Sequence, residues 1–336
     1  MDDQILITAI ARCTKEPLSI NDLKNGTFRP ILKTPEGSFL LLINPDRGDF
    51  ILGRGEIKTA MFAIDLSDAQ IYVVTVSKKS LCSPEKWDTL KHEISFLKQV
   101  KGIPQLLQLK TAFMNDEDCY IITNYCNGGE LFNELASKKL SLLQTLQIAL
   151  DLSYGLKKLH ALGFIHRDIK PHNIFLNKEL NGETKAVIGD FDTVCKEGDL
   201  KALEELCGNP YWLPPEKAQI IASSLPPKEQ TPFWQAASTA KCDIWSLGTL
   251  FFILFRGGAL TWQKLTFPEE PPTAAIQRCA HLVQSDLSKE IENAPLPSPC
   301  IPLIKKMLQI DPSKRPSAEE VYIELHQIIN LYQKII

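Results

Sequence analysis

The stretch HRDIKPHNIFL, His166–Leu176, decides how this chain is read. A carboxylate, Asp168, lies between two cations, Arg167 and Lys170, with an amide at Asn173. Downstream, GDFD at Gly189–Asp192 adds further carboxylates. A lone Asp or Asn in such a setting usually caps a turn. The order of the landmarks on either side argues against that reading. LGRGEIK at Leu52–Lys58 and HEISFLK at His92–Lys98, with Glu93, precede the stretch. PPE at Pro214–Glu216, CDIWSLG at Cys242–Gly248 and DPSKRPSAEE at Asp311–Glu320 follow it.

The bulk numbers narrow the field. With 336 residues the chain suits one large or two moderate domains and can bury a substantial core. It is 44% hydrophobic and 23% charged, which is neither fibrous nor disordered. The 37 basic and 40 acidic residues leave a net charge of -3, with no general drive toward nucleic acid or an anionic membrane. Nine cysteines form no C-x-x-C pair and no Cys/His group with zinc spacing, which fits reduced thiols in the cytoplasm. The acidic start MDDQ is poor for a signal peptide. The longest apolar run, LGTLFFILF at Leu247–Phe255, is far short of a membrane span and reads as a buried core helix. No membrane anchor is evident.

Periodicity divides the chain by texture. FILGRG, TAMFAIDL and QIYVVTVS, within Phe50–Ser77, read as strands. Pro84–Val100 reads as a helix with Pro at its start and apolar residues at Leu90, Ile94 and Leu97. Gln108–Met114 and Cys119–Asn124 read as a strand pair. Beyond Asn127 the pattern turns helical, with Leu140–Gly163 as a long helix and further helices at about 241–256, 272–285, 299–309 and 318–334. Residues 217–240 read as a loop or short-helix insertion. Ile7–Leu23 suits a short helix, and residues 1–47 as a whole have no clear structure. The expected domains are an N-terminal extension (1–47), a strand-rich lobe with one helix (48–125) and a larger helical lobe (126–336). A cleft between two such lobes is a usual place for a ligand.

From about Asp49 to Asn330, this ordered set resembles the eukaryotic-type Ser/Thr protein kinase superfamily. The resemblance implies an α+β, bilobal fold: a small antiparallel sheet lobe with one helix, and a larger, mostly helical lobe. It implies ATP and Mg²⁺, with Mn²⁺ as an alternative, and a protein substrate, with room for a regulatory partner. Phosphoryl transfer needs alignment and charge stabilisation more than covalent help. By resemblance, Asp168 would orient and deprotonate a substrate hydroxyl, Lys170 would reach the transferred phosphate, and Asn173 and Asp190 would hold the metal through hard oxygen ligands. Gly53 and Gly55 would allow close approach to the phosphates. Ala60 and Val73 would form the upper wall of the adenine site and Leu176 its floor. Thr123 would gate it, and Asn124, Tyr125 and Cys126 would form the hinge. Glu216 and Arg315 would make a buried ion pair, and Asp243 would accept bonds from the catalytic-loop backbone.

Two positions depart from the family. Its third strand carries an A-x-K lysine that pairs with the helix glutamate, here Glu93. In this register the residue is Thr75. Lys79 has the same side-chain parity, but at roughly 3.3 Å per residue it lies about 13 Å farther along, past the end of the strand. Lys78 points to the opposite face. The glycine-rich loop reads G-R-G-E-I-K, with Lys58 in place of the third glycine, and this resembles the with-no-lysine kinases, in which a lysine at this position takes over the missing role. A flexible four-carbon stem can deliver the charge from a neighbouring strand. In GDFD, Asp192 replaces the customary glycine and restricts the loop backbone.

The segment Asp190–Glu216 has one hydroxyl ahead of CGNPYW, Thr193, while Asn209 and Trp212 stand where threonine and tyrosine are usual. Activation by phosphorylation in mid-loop is therefore not expected. Glu204 and Glu205 are candidates to face Arg167 in place of a phosphate. Two functions remain in play: a Ser/Thr protein kinase with Lys58 as phosphate anchor, and a pseudokinase acting as a scaffold or allosteric regulator.

Overall fold

The computed structural model describes residues 31–34, 36–41, 51–137, 140–199, 207–223, 229, 234, 237–263 and 271–333. The helix expected in Ile7–Leu23 and the pair Glu204 and Glu205 lie outside the described residues. The chain divides into two compact units. One comprises Met1–Gly102 and Leu107–Tyr125, the other Ile103–Leu106 and Cys126–Ile336.

The first unit contains β1 (Ile31–Thr34), β2 (Gly37–Leu41), β3 (Ile51–Arg54), β4 (Lys58–Asp65), β5 (Ile71–Lys78), α1 (Pro84–Gln99), β6 (Leu109–Met114) and β7 (Asp118–Asn124). All the pairings are antiparallel, in the order β1-β2-β4-β5-β7-β6, with β3 also on β4. Two short strands share the outer edge of β4: β3 pairs with Thr59–Met61 and β2 with Ala63–Asp65. Alternation sends Met61, Ala63, Val74 and Ile122 to one face, where Phe39 and Leu41 from β2 close over them. On that side Lys110 of β6 donates to the buried Asp65 of β4 at 3.0 Å, and the Thr111 hydroxyl donates to Glu36 in the β1–β2 turn. These ties join strands from opposite ends of the order, so the sheet is curled. The described residues before position 47, for which no clear structure was legible in the sequence, thus form a hairpin added to the sheet.

Helix α1 starts as its sequence dictates. The Ser83 side chain accepts from the Lys86 N–H and Pro84 takes the first position, where no N–H is needed. Its buried face carries Trp87, Leu90, Ile94 and Leu97, and with them one carboxylate, Glu93.

The second unit contains β8 (Gly129–Glu130), α2 (Leu131–Ser137), α3 (Leu142–Ala161), β9 (Phe164–Ile165), β10 (Ile174–Lys178), β11 (Thr184–Ile188), β12 (Cys195–Lys196), α4 (Pro215–Ala222), α5 (Ala240–Arg256), α6 (Pro272–Ala280), α7 (Gln284–Asn293), α8 (Ile301–Met307) and α9 (Ala318–Gln333). Helix α3 opens with a capping box in which Ser141 and Gln144 satisfy each other's backbone N–H groups. Helix α5 is buried on every side through its middle, from Cys242 to Phe252. That explains its apolar run without a membrane, and no helix of the described residues is long and apolar enough to cross one. The single helix expected at 272–285 is instead two, α6 and α7, separated by His281–Val283. Where the second helix begins, the Gln284 side chain accepts from the Ile310 N–H at 2.8 Å and donates to the Leu308 carbonyl at 3.4 Å, contacts to which periodicity is blind.

The Glu216–Arg315 pair forms as expected, with Nη1–Oε1 at 2.7 Å and Nη2–Oε2 at 2.6 Å. Arg315 also donates to the carbonyls of Gln309, Lys241 and Ile310, so all five guanidinium donors are used, and its plane lies over Trp245 at 5.0 Å. A fully satisfied buried pair is costly to break from one side. Arg315→Ala should destabilise the protein by about 3–5 kcal/mol, measured by urea denaturation, by leaving Glu216 without its partner.

Candidate functional site

In the first unit the expected residues fall into ladder rows on the sheet face opposite the Phe39 cluster. Phe62, Val73 and Thr123 stand directly across from one another, followed by Ala60, Thr75 and Ile121, then Lys58, Ser77 and Cys119. Lys58 is therefore one row from Thr75 on the adjacent strand, and diagonal neighbours of this kind lie about 7–8 Å apart. The Lys58 ammonium donates to Glu93 Oε2 at 2.8 Å, with both side chains largely buried. Glu93, set among apolar residues of α1, requires such a partner. Lys79 does not compete: β5 ends at Lys78, and the Lys79 ammonium lies 5.8 Å from the centre of the Trp87 ring. Cys119, in the row of Lys58, has its thiol pushed up to about 12 by burial and then by the charge of Glu93. Before the lysine, the chain turns tightly, with the Gly55 N–H donating to the Lys58 carbonyl at 2.8 Å.

The hinge residues differ in what they leave available. Asn124 has its N–H committed to the Gln108 carbonyl at 3.0 Å, and the Tyr125 ring meets Phe62 edge-on at 5.1 Å. Both belong to the first unit. Cys126 opens the second. Its carbonyl accepts from the Gly129 N–H at 3.1 Å, while its own N–H makes no backbone hydrogen bond among the described residues. Leu176 of β10 is fully buried, and its carbonyl accepts from Gly128, whose hydrogen in place of a side chain permits the approach: a Cβ there would lie 2.8 Å from that oxygen.

In the second unit His166–Asn173 is held from several sides. The buried Asp243 of α5 accepts from the N–H groups of His166 and Arg167, each at 2.8 Å, and from His160 Nε2 at 2.8 Å. Burial alone would raise the Asp243 carboxyl, but the hydrogen bond and charge of His160, with the His166 N–H, hold it below its ordinary value. The His166 ring accepts from the Asp168 N–H at Nδ1, 3.3 Å, so its proton sits on Nε2, 3.2 Å from the Gly189 carbonyl. The Asp168 carboxylate takes the Lys170 ammonium at 2.6 Å and the Asn173 amide at 3.0 Å on Oδ2, and the Asn209 N–H at 3.0 Å on Oδ1. Gly208 makes the last contact possible. It has a φ of 94°, and a Cβ there would come within 2.7 Å of the Arg167 carbonyl.

The donor set suits a hard cation. Asn173 spends its Nδ2 on the Asp168 carbonyl and carboxylate, at 2.9 and 3.0 Å, which leaves its amide oxygen as the acceptor. Among the described residues no group of three or more His, Cys, Asp or Glu side chains is assembled around a point. Mg²⁺ does not require one, since it commonly binds through one or two protein oxygens, water and phosphate. Asp190 adopts a φ of 60°, a strained value for a residue with a side chain. Asp192 is not among the positive-φ residues, so its backbone occupies a region open to any residue and the loss of glycine imposes no strain there.

Sequence reasoning missed His160, Gly208 and Thr193, whose hydroxyl donates to the His166 carbonyl, as parts of this network. His160 meets Asp243 across 83 positions, and nothing local distinguishes it from an ordinary helix-end histidine. The lowered Asp243 carboxyl stabilises the fold fully above the unfolded value near pH 4, and this contribution is lost as pH falls through the lower folded value. Asp243→Asn should therefore cost about 2–3 kcal/mol in urea at pH 7, with the gap to wild type shrinking toward pH 3. For the first unit, a double-mutant cycle of Lys58→Ala and Glu93→Ala should give a coupling of about 1–3 kcal/mol in the same assay.

The family model described as protein kinase domain matches residues 49–325. Calcium-dependent protein kinase 27 of Arabidopsis thaliana is 29% identical over 279 residues, which cover 80% of this chain and 52% of that protein. Calcium-dependent protein kinase 8 of the same plant is 27% identical over 319 residues, covering 91% and 53%. Calcium-dependent protein kinase 2 of Oryza sativa subsp. japonica is 26% identical over 284 residues, covering 80% and 48%. The chain spans about half the length of the curated relatives it matches. A kinase-domain match over most of the chain, on an α+β fold with a curled antiparallel sheet and a helical unit, shows that it belongs to the protein kinase domain family, within the eukaryotic-type Ser/Thr superfamily.

Proposed function

We propose that the protein is an active Ser/Thr protein kinase that transfers the γ-phosphoryl group of ATP to a hydroxyl of a protein substrate, in the cytoplasm. The observation that carries this reading is the ion pair between Lys58 and Glu93 at 2.8 Å. The departures at Thr75 and Asp192 are the reasons to consider a catalytically silent scaffold. A lysine from the neighbouring strand that already meets the helix glutamate offers the charge missing at Thr75, which supports the active reading.

The residues divide the work by chemistry. Lys58, steadied by Glu93, would hold the ATP phosphates, with Gly53 and Gly55 allowing the backbone close to them. Ala60, Val73, Thr123 and Leu176 would surround the adenine, and the backbone of Asn124, Tyr125 and Cys126 would meet its polar edge. The Asp168 carboxylate would accept the proton of the substrate hydroxyl as the oxygen attacks the γ-phosphorus and ADP leaves. Lys170, already 2.6 Å from Asp168, would offset charge on the transferred group. Asn173 and Asp190 would hold Mg²⁺, which when bound neutralises phosphate oxygens.

Phosphotransfer to a generic protein substrate, with Mg²⁺ and labelled ATP, tests the assignment. Wild type and Lys79→Ala should be active, Lys58→Ala should lose about a hundredfold or more, and Asp168→Ala should be inactive. Wild-type turnover by Lys58→Ala would end the claim for Lys58. A wild type that neither binds ATP nor transfers phosphate would end the enzyme reading.

A further inference from the structure

The peptide group between His166 and Arg167 is gripped at both of its polar atoms. Its N–H, on Arg167, donates to Asp243 Oδ1 at 2.8 Å, and its carbonyl, on His166, accepts from the Thr193 hydroxyl at 2.7 Å. The torsion that follows is strained: Arg167 has a φ of 71°, a left-handed value that a residue with a Cβ keeps only when its surroundings over-determine it. Turning this peptide plane changes ψ of His166 and φ of Arg167 together. Holding both its oxygen and its N–H therefore holds the strained torsion, and with it the direction in which Asp168 leaves the turn.

Thr193 is bound to the same turn a second time, since its own carbonyl accepts from Arg167 Nε. Asp243 and the His166 ring also hold this turn, through the N–H groups of His166, Arg167 and Asp168, and Lys170, Asn173 and Asn209 hold the Asp168 carboxylate, but none of these contacts is to the His166 carbonyl. We propose that the Thr193 hydroxyl is a positioning group for the proton-accepting carboxylate. It fixes the 166–167 peptide plane from the oxygen side and so keeps Asp168 aimed at the substrate hydroxyl. This rests on the reading of Asp168 as that acceptor. It also gives the one hydroxyl between Asp190 and Asn209 a role other than receiving phosphate, because that oxygen is already committed inward.

Two substitutions separate positioning from simple stabilisation. Thr193→Val keeps the branched shape and removes the hydroxyl, whereas Thr193→Ser keeps the hydroxyl and removes the methyl. Thr193→Val should lower kcat by about tenfold to a hundredfold with KM for ATP within about twofold of wild type, and Thr193→Ser should stay within about twofold in both. Amide hydrogen exchange at Arg167 should accelerate in Thr193→Val and not in Thr193→Ser. Wild-type kcat in Thr193→Val overturns the proposal, as does equal damage in both variants, or a loss in Thr193→Val that only tracks the unfolded fraction in a melting curve. If the wild-type protein transfers no phosphate, the reading of Asp168 fails. The clasp itself is then decided by exchange, and unchanged protection of the Arg167 amide in Thr193→Val overturns it.

Discussion

A carboxylate with no access to water, Asp243, governs the geometry of the second unit. Its two oxygens take the N–H groups of His166 and Arg167 and the His160 ring, so one residue of α5 sets the path of a loop more than seventy positions earlier in the chain. The loop could not hold this path by itself, because Arg167 sits in a region that costs a residue with a side chain about 1–3 kcal/mol. Helix α5 is a suitable base: it is buried on all sides through its middle and cannot yield without disturbing the core around it. The strain of the turn is thus borne by the most tightly packed element nearby.

The first unit solves a different problem with the same economy. Glu93 lies on the apolar face of α1 and has to be matched by a positive charge. In an antiparallel sheet, a residue on the next strand one row away faces the same side as the one it replaces. A lysine can therefore move from β5 to β4 without losing its target, whereas a shift of one residue along β5 would point it away. Ser77 and Cys119, beside Lys58 in its row, are small enough to leave the long stem room to reach α1.

Much of this was legible in the residues. The strands β3 to β5, the helix α1 and its partner strands follow from alternation and capping, and the ordered motifs led to Lys58, Glu93, Asp168 and Asn173. The rest depended on contacts between distant positions. Gln284, where α7 begins after the break, bonds to the chain after α8, and the link from His160 to Asp243 joins residues 83 positions apart. The backbone of GDFD was illegible for another reason: which of its residues takes the left-handed torsion is not written in the sequence, and it is Asp190 rather than Asp192.

Lys58 is the first residue of β4, and its carbonyl closes the tight turn made with Gly55. A charge in that place is mechanically part of the glycine loop. A residue at position 75 has ladder partners on both sides and would stay put while the loop moved. Lys58 has a ladder partner on one side only, Ser77, so one residue ties the glycine turn through its carbonyl and Glu93 of α1 through its ammonium.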